Sequence, residues 1–218
     1  MNYKASVDAD VIIKLSVVDC FGECIEALGV SAHECATLRS MTFSAGLSKP
    51  HVRERKAGPG APAARLHALL RNIPKIDNIS RQEERLAAAF VTASQARGLA
   101  VDAGEAILMA VSISRQIPYL MTGDKRAIRS LPALEKDVGD LAFLRGRIVP
   151  LELALLGAVR KSGLPGLQRR LSAGQSCDVV LARTLSVAAG NQKVFEATLE
   201  EEVQRLRRSA LGYIAKLD

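Results

Sequence analysis

The segment IPYLMTGDKRAIRSL, residues 117–131, indicates the class of fold. It begins with a short apolar run typical of a buried strand, breaks at Thr122-Gly-Asp124 and passes directly into a helical pattern. A strand followed at once by a helix is the repeating unit of parallel α/β sheets. An acid at a helix start is favourable, but the two cations that follow it, Lys125 and Arg126, are not. The turn therefore raises the question of what Asp124 does.

The same alternation of short strands and helices extends along the first 150 residues. Strand patterns also occupy residues 3–8, 76–79 and 147–149, and a very short strand or turn begins at Val30. Helical periodicity covers residues 11–28, 31–44, 63–72, 81–96, 102–116 and 125–131. We therefore predict an α/β fold with a mostly parallel central sheet and helices on both faces.

Two other regions interrupt or follow this alternation. Residues 46–62 are basic and rich in Pro and Gly, which predicts a mobile loop. From residue 151 onward only helical patterns occur, at 151–161, 165–172, 178–189 and 193–216. We therefore divide the chain into a domain of residues 1–150 and a C-terminal helical extension of residues 151–218.

An apolar stripe runs along the last of these helices. It consists of Phe195, Leu199, Val203, Leu206, Ala210 and Ile214. Such a stripe packs either on the domain or on a second copy of the chain, so a homodimer is one of two alternatives.

The composition narrows the class of protein. Lys and Arg exceed Asp and Glu by 7, which favours a polyanionic partner such as nucleic acid. Only 4% of the residues are aromatic and none is Trp, so a ligand site built on aromatic stacking is not expected. The four cysteines and three histidines have no zinc spacing, and no phosphate-binding loop motif occurs, so we expect no zinc and no nucleotide cofactor. Cys20 and Cys24 are interpreted as small buried apolar residues.

No charged leader followed by a long apolar segment occurs, and no apolar run reaches the roughly 20 residues of a membrane-spanning helix. We expect a cytoplasmic protein with reduced thiols and no membrane partner.

Four acids fall at predicted strand ends or helix starts: Asp8, Glu34, Glu105 and Asp124. In an open parallel sheet these positions lie at the carboxyl edge, where such folds bind ligands. Carboxylates crowded together repel one another, and a hard cation such as Mg²⁺ or Mn²⁺ relieves that repulsion. The sequence therefore predicts a metal pocket that could support phosphodiester hydrolysis.

Structural roles remain open for each acid taken singly. Glu34 and Glu105 both stand in capping-box patterns, behind Ser31 and Asp102. Asp8 and Asp124 are also suitable turn formers. Asp10 is interpreted as the N-cap of the first helix rather than as a ligand.

Three segments resemble the motifs of PIN-domain nucleases, the family that includes VapC-like toxins. They are VDADVIIKL at 7–15, VSAHECATL at 30–38 and DAGEAILMAVSISRQIPYLMTGDKRAI at 102–128. The resemblance covers roughly residues 4–150. It implies a Rossmann-like three-layer α/β/α sandwich and Mg²⁺- or Mn²⁺-dependent cleavage of RNA. Asp8, Glu34, Glu105 and Asp124 fall on the metal-binding, catalytic positions, with Thr122 as the hydroxyl beside the last acid.

The chain departs from the family pattern at two of these motifs. Asp10 stands where the family usually has Asn or Ser, and Glu105 where Asp is more frequent. The chain is also longer than the compact toxins. Our hypotheses are a metal-dependent endoribonuclease, the same nuclease as a toxin with a protein antitoxin as partner, and a catalytically silent PIN-like module that binds RNA or a protein.

Cations outside the acidic pocket are candidates for RNA contacts. Next to Asp124 the candidates are Lys125 and Arg126, together with the Thr122 hydroxyl. The basic segment 46–62 contributes Arg53 and Arg55, with Lys49, His51 and Lys56 nearby. Contacts to the phosphate backbone need only such cations. A solvated surface is the alternative for each of them.

Overall fold

The computed structural model describes residues 3–217 and has an α/β fold around a five-stranded, all-parallel sheet. The strands are β1 (Ala5–Val7), β2 (Cys35–Leu38), β3 (Lys75–Ile76), β4 (Tyr119–Thr122) and β5 (Ile148–Pro150). Their order across the sheet is β3-β2-β1-β4-β5. Strands β2 and β3 extend the sheet in one direction from β1, and β4 and β5 extend it in the other. Because parallel crossovers are right-handed, the helices of the two halves belong on opposite faces, compatible with the three-layer arrangement.

Twelve α-helices connect and follow the described strands. They are α1 (Ala9–Val17), α2 (Phe21–Glu26), α3 (Arg39–Ser44), α4 (Pro50–Ala57), α5 (Ala61–Asn72), α6 (Arg81–Ala96), α7 (Ala103–Ser114), α8 (Lys125–Leu134), α9 (Leu151–Ser162), α10 (Leu164–Ala173), α11 (Val179–Ala188) and α12 (Gln192–Ala210). Short 3₁₀ turns occur at Ala32–Glu34, Gly139–Leu144 and Gln175–Cys177. No helix within residues 3–217 is both long and apolar enough to cross a bilayer.

The central strands are buried, as their small and apolar residues require. Ala5 and Val7 of β1 and Met121 of β4 are fully inaccessible, and the two strands pair in register, with Val7 opposite Met121. A buried hydrogen bond of 2.7 Å joins the Ser6 and Ser112 hydroxyls and ties β1 to α7. The sheet and α7 are thus fixed relative to each other.

The helices after β5 pack on the rest of the chain. The residues of the predicted apolar stripe are buried and belong to the same hydrophobic core as the sheet. The helix predicted over 193–216 ends at Ala210, however, where Leu211 adopts a positive φ of 43°, so Ile214 lies outside α12. Beyond α12, Ile214 pairs with Ile148 of β5, and the Tyr213 hydroxyl donates to Glu135 Oε2 at 2.5 Å. The stripe therefore packs on its own chain, which is the first of the two alternatives that the sequence left open.

Two predicted helices of the N-terminal half are wrong. The helix predicted over 11–28 is broken after α1, because Asp19 adopts a positive φ of 53° before α2 begins. The helix predicted over 31–44 is instead a 3₁₀ turn, strand β2 and then α3. Cys35–Leu38 is a short apolar run, and periodicity alone does not distinguish a strand from a helix in such a run. It forms a strand because it pairs between β1 and β3 in the sheet.

The prediction of a mobile loop over 46–62 is also wrong, since α4 and the start of α5 occupy it. The Pro and Gly residues there mark helix boundaries. Pro50 begins α4, a position for which its fixed φ is suited. Gly58 ends that helix with a φ of 85°.

The cysteine interpretation is confirmed. Cys20 and Cys24 are fully buried, and none of the four cysteines is in a disulfide.

Removing the Phe195 ring tests whether the helices after β5 share one core with the sheet. Phe195→Ala should lower the free energy of unfolding by about 3–5 kcal/mol, because it leaves a cavity in that core. Urea unfolding followed by circular dichroism and tyrosine fluorescence would measure it. Val187→Ala, at a side chain that is 58% exposed, is the control and should change the value by less than about 0.5 kcal/mol. Two separate transitions in the wild type would contradict a single core.

Candidate functional site

An acidic cleft lies where the two halves of the sheet diverge. The carboxyl ends of β1 and β4 are adjacent there, which makes this the topological switch point at which open α/β sheets bind ligands. The cleft measures about 890 Å³ and opens to solvent. The acids that line it are Asp8, Asp10, Asp102, Glu105, Asp124 and Asp178, and the cations are Lys14, Lys56, Lys125 and Arg126.

Asp8 follows β1 directly and is 9% exposed. Its backbone N–H donates to Met121 O of β4 at 2.9 Å, which fixes it against the neighbouring strand. The residue occupies the N-cap position of α1, but its side chain makes no capping hydrogen bond. Burial and the charge of Asp10 raise the pKa of Asp8 to about 6, although the nearby amides of Ala9 and Asp10 oppose the shift.

Glu105 lies in the first turn of α7. Its carboxylate accepts a hydrogen bond of 3.0 Å from Asp102 N–H, and Asp102 caps the same turn in return. Burial raises the pKa of Glu105 to about 7, with contributions from the charges of Asp102, Asp124 and Asp8. The electrostatic effect of Asp124 and Asp8 on Glu105 shows that the three acids share one environment.

Asp124 caps α8. Its Oδ1 accepts hydrogen bonds from the backbone N–H groups of Arg126 and Ala127 at 2.7 and 3.1 Å. The Arg126 guanidinium lies 3.2 Å from the other carboxylate oxygen. Burial alone would raise the pKa of Asp124, but these donors hold it below its usual range. Asp124 is therefore the only one of these three acids whose pKa is lowered.

Asp10 is not the N-cap of α1, which corrects the prediction, because Asp8 occupies that position. Asp10 stands in the first turn and pairs with Lys14 at 2.8 Å. Its carboxylate also closes on the turn between β4 and α8: a side chain at Gly123 would approach Asp10 Oδ2 to 2.5 Å. Glycine at 123 therefore lets Asp10 enter the cleft beside Asp124.

Glu34 does not lie with the other three acids. It precedes β2 instead of following a strand, so it stands at the amino edge of the sheet. There it pairs with Lys4 at 2.6 Å and accepts hydrogen bonds from Ser31. Hydrogen bonds from Lys4 and Ser31 lower the pKa of Glu34 to about 2. The prediction that Glu34 shares the carboxyl-edge pocket is wrong, because the capping box opens a turn ahead of the strand.

The cations predicted to contact RNA have different surroundings. Lys125 Nζ lies 2.5 Å from Oε1 of Glu152, which is almost fully buried. Arg53 donates to the carbonyls of Gly46 and Leu47, so it holds a turn together. Arg55 is exposed on α4. Only the last of these three side chains has its charge available at the surface.

Thr122 and Lys56 flank the cleft from different elements. Thr122 is the last residue of β4, is 8% exposed, and accepts a hydrogen bond from Asp124 N–H. Its hydroxyl therefore orders the turn that presents Asp124. Lys56, near the end of α4, lines the cleft itself.

The donor set of the cleft suits a hard cation, since every acid side chain lining it offers carboxylate oxygen. Within residues 3–217, however, no group of three or more Asp, Glu, His or Cys side chains is arranged to hold a metal ion. Glu105 accepts a hydrogen bond from Asp102 N–H, and Asp124 accepts one from the Arg126 guanidinium. The raised pKa values of Asp8 and Glu105 nevertheless mark a site where added positive charge would be stabilising.

Sequence reasoning missed three of the acids that line the cleft. Asp102 was interpreted only as the residue that opens its helix, a role that it also has. Asp10 had a signal in its position two residues after Asp8, but it was interpreted as a cap. Asp178 had none, because it stands more than 150 residues along the chain from α1 and reaches the cleft only through the packing of the last helices.

Comparison with known proteins gives no relative to set beside this geometry. No family model, no curated protein and no solved structure matches the chain.

The crowded carboxylates predict an unusual pH dependence of stability. Because the pKa of Asp8 is raised in the folded state, the folded chain binds more protons than the unfolded chain between about pH 4 and pH 7, so stability falls as the pH rises through that window. Asp8→Asn removes this cost. It should raise the free energy of unfolding at about pH 8 by up to roughly 3 kcal/mol and change it little at about pH 4. Urea unfolding in EDTA at both pH values would measure the difference.

Glu34→Gln is the matched control for that experiment. The pKa of Glu34 is lowered, so its carboxylate stabilises the fold above about pH 4.5 and loses this effect as the pH falls. The variant should therefore be less stable than the wild type at high pH. If both variants shifted stability in the same direction, the assignment of the two acids to opposite edges would be wrong.

Proposed function

We propose that the protein is a PIN-like endoribonuclease that depends on Mg²⁺ or Mn²⁺. One observation supports this most: Asp8, Glu105 and Asp124 come from three separate segments, yet line one open cleft at the switch point of a parallel sheet. Burial of acids that raise one another's pKa is costly to a fold, and such arrangements cluster at functional sites. A divalent cation would offset that cost.

The resemblance to PIN-domain nucleases supports the same function over two of its three segments. Residues 7–15 and 102–128 contain Asp8, Glu105 and Asp124, all of which line the cleft. Residues 30–38 do not contribute, since Glu34 stands at the opposite edge. We therefore assign the site to Asp8, Glu105 and Asp124 and leave Glu34 outside it.

In this proposal each residue has a distinct task. Asp8, Glu105 and Asp124 would hold the ion, which supplies stabilisation of the charge developing on the phosphate and a lowered pKa for water. Asp102 N–H orients the Glu105 carboxylate, and the backbone amides at the start of α8 orient Asp124. Glu105 and Asp8 would lose their protons when the ion binds, because their pKa values lie near neutral pH.

RNA is the proposed substrate because the surroundings of the cleft suit a phosphate backbone. Lys56 on α4 and Arg126 on α8 flank the acids from two different elements. None of the described residues that line the cleft is aromatic, so recognition of bases by stacking is not part of the proposal. Contacts of this kind neutralise phosphates without reading sequence.

A second candidate function, a silent PIN-like module that binds RNA or a protein, is favoured by a different observation. Glu105 and Asp124 already act as helix caps, and among the described residues no three acids are positioned to hold an ion. The two candidates differ in whether the protein binds Mn²⁺ and cleaves RNA.

A labelled single-stranded RNA incubated with the protein should be cut in millimolar Mn²⁺ and left intact in EDTA. Asp8→Asn and Asp124→Asn should each lower the rate by at least about 100-fold, because each removes a charged ligand from the cleft. Gel analysis of the products gives the rates. Glu34→Gln is the control and should cleave like the wild type. If the wild type neither cleaves the RNA nor binds Mn²⁺, the silent module is favoured. Loss of cleavage in Glu34→Gln would overturn the assignment of the site to Asp8, Glu105 and Asp124.

We also propose a cytoplasmic location, where the four unpaired cysteines would stay reduced.

A toxin role, with an antitoxin that covers the cleft, rests on the resemblance alone. Its test is expression in a bacterial host: wild type should arrest growth, and Asp124→Asn should not. Normal growth with an active nuclease would rule the toxin role out.

A further inference from the structure

The helices after β5 contribute a carboxylate to the cleft. Asp178 precedes α11 and uses its two oxygens for different purposes. Oδ1 accepts hydrogen bonds from the backbone N–H groups of Val180 and Leu181 at 2.9 and 3.1 Å and so caps the helix. Oδ2 lies 3.0 Å from Lys14 Nζ on α1. Asp178 therefore connects the C-terminal region to the helix that begins at Asp8.

The chain before Asp178 is anchored along α1 and its C-terminal end. Arg170 donates to the carbonyl of Asp19 at 2.6 Å. Gly174 packs so closely on Val18 that a side chain there would approach Val18 Cγ1 to 2.7 Å. These contacts hold the start of α11 in place, so the position of Asp178 does not depend on Lys14 alone.

Lys14 is shared between two carboxylates. Its Nζ lies 2.8 Å from Asp10 Oδ2 and 3.0 Å from Asp178 Oδ2. Burial alone would lower the pKa of Lys14, but Asp10 and Asp178 hold it well above its usual value, so the amine stays charged. The three groups together have a net charge of −1. Without the charge of Asp178, Asp10 and Lys14 would form a neutral pair.

This net charge lies beside the least compensated acid of the site. Asp10 stands two residues after Asp8, and its Oδ2 lies against Gly123, the neighbour of Asp124. Asp8 is 9% exposed, lines the cleft, and forms no ion pair with a cation among the residues the structure describes. Whatever sets the charge of Asp10 also sets the field at Asp8.

We propose that Asp178 is a positioning residue of the cleft. Because Asp178 shares the Lys14 ammonium group with Asp10, Lys14 does not fully neutralise the charge of Asp10. The remaining negative charge strengthens the binding of a divalent cation at Asp8, Glu105 and Asp124. The inference rests on the proposed function, since it assumes that the cleft binds such a cation. It also assigns the C-terminal helices a part in the site, beyond their packing on the core.

The chain permits a clean separation of charge from capping. Asparagine caps helices as well as aspartate does, so Asp178→Asn keeps the cap and removes the charge. Glutamate keeps the charge and is a poorer cap, so Asp178→Glu does the reverse. Asp137→Asn is the control for net charge, because Asp137 pairs with Arg97 and does not line the cleft.

Isothermal titration of Mn²⁺ into the full chain tests the proposal, with circular dichroism to confirm that each variant folds. Asp178→Asn should raise the Kd roughly three- to tenfold, the effect of one charge at a distance through a partly solvated site. Asp178→Glu and Asp137→Asn should bind Mn²⁺ nearly as the wild type does.

The outcomes distinguish this inference from the function on which it rests. If the wild type binds Mn²⁺ and Asp178→Asn binds it equally well, the inference is overturned and the proposed function stands. Equal weakening in Asp178→Asn and Asp137→Asn, or in Asp178→Asn and Asp178→Glu, would also overturn it. If the wild type binds no Mn²⁺, both fail.

Discussion

The structure places carboxylates at the ends of β1 and β4, where burial and, to a smaller extent, like charge oppose their ionisation. Strands β1 and β4 pair in register, and the hydrogen bond from Asp8 N–H to Met121 O continues that pairing past the end of β1. Because Asp124 follows β4 by two residues, the sheet itself brings the two acids together. Glu105 joins them because α7 is tied to β1 through the Ser6–Ser112 hydroxyl pair. The backbone hydrogen bonds of the sheet thus hold acids at a distance that their charges oppose.

The surrounding structure offsets most of this repulsion, but not all of it. Arg126 and two backbone amides neutralise Asp124, and Lys14 neutralises part of Asp10. Glu105 receives one backbone hydrogen bond and keeps a pKa near 7. Among residues 3–217 no cation forms an ion pair with Asp8, although several line the same cleft. The cost of burying its charge is therefore left uncompensated by the described side chains.

Local patterns in the sequence predict the parts of the site that depend on neighbouring residues. The strand ending at Thr122, the cap at Asp124 and the capping box of α7 are all confirmed, because each is set within a few residues of chain. The predicted position of Glu34 is wrong because it does not depend on neighbouring residues alone. Its capping box is present, but whether a turn or a helix follows depends on the place of β2 in the sheet. Asp178 reaches α1 across the whole chain, and no local pattern reports such a contact.

Capping can explain some of the acids but not the cleft as a whole. Glu105 and Asp124 make capping hydrogen bonds that a silent module would also need. Asp8 has the extended backbone of an N-cap residue, with φ and ψ of −70° and 150°, yet its side chain makes no capping bond. It lines the cleft instead, nine-tenths buried and with a raised pKa. The amides of Ala9 and Asp10 oppose that shift without cancelling it, so helix capping alone does not account for the state of Asp8.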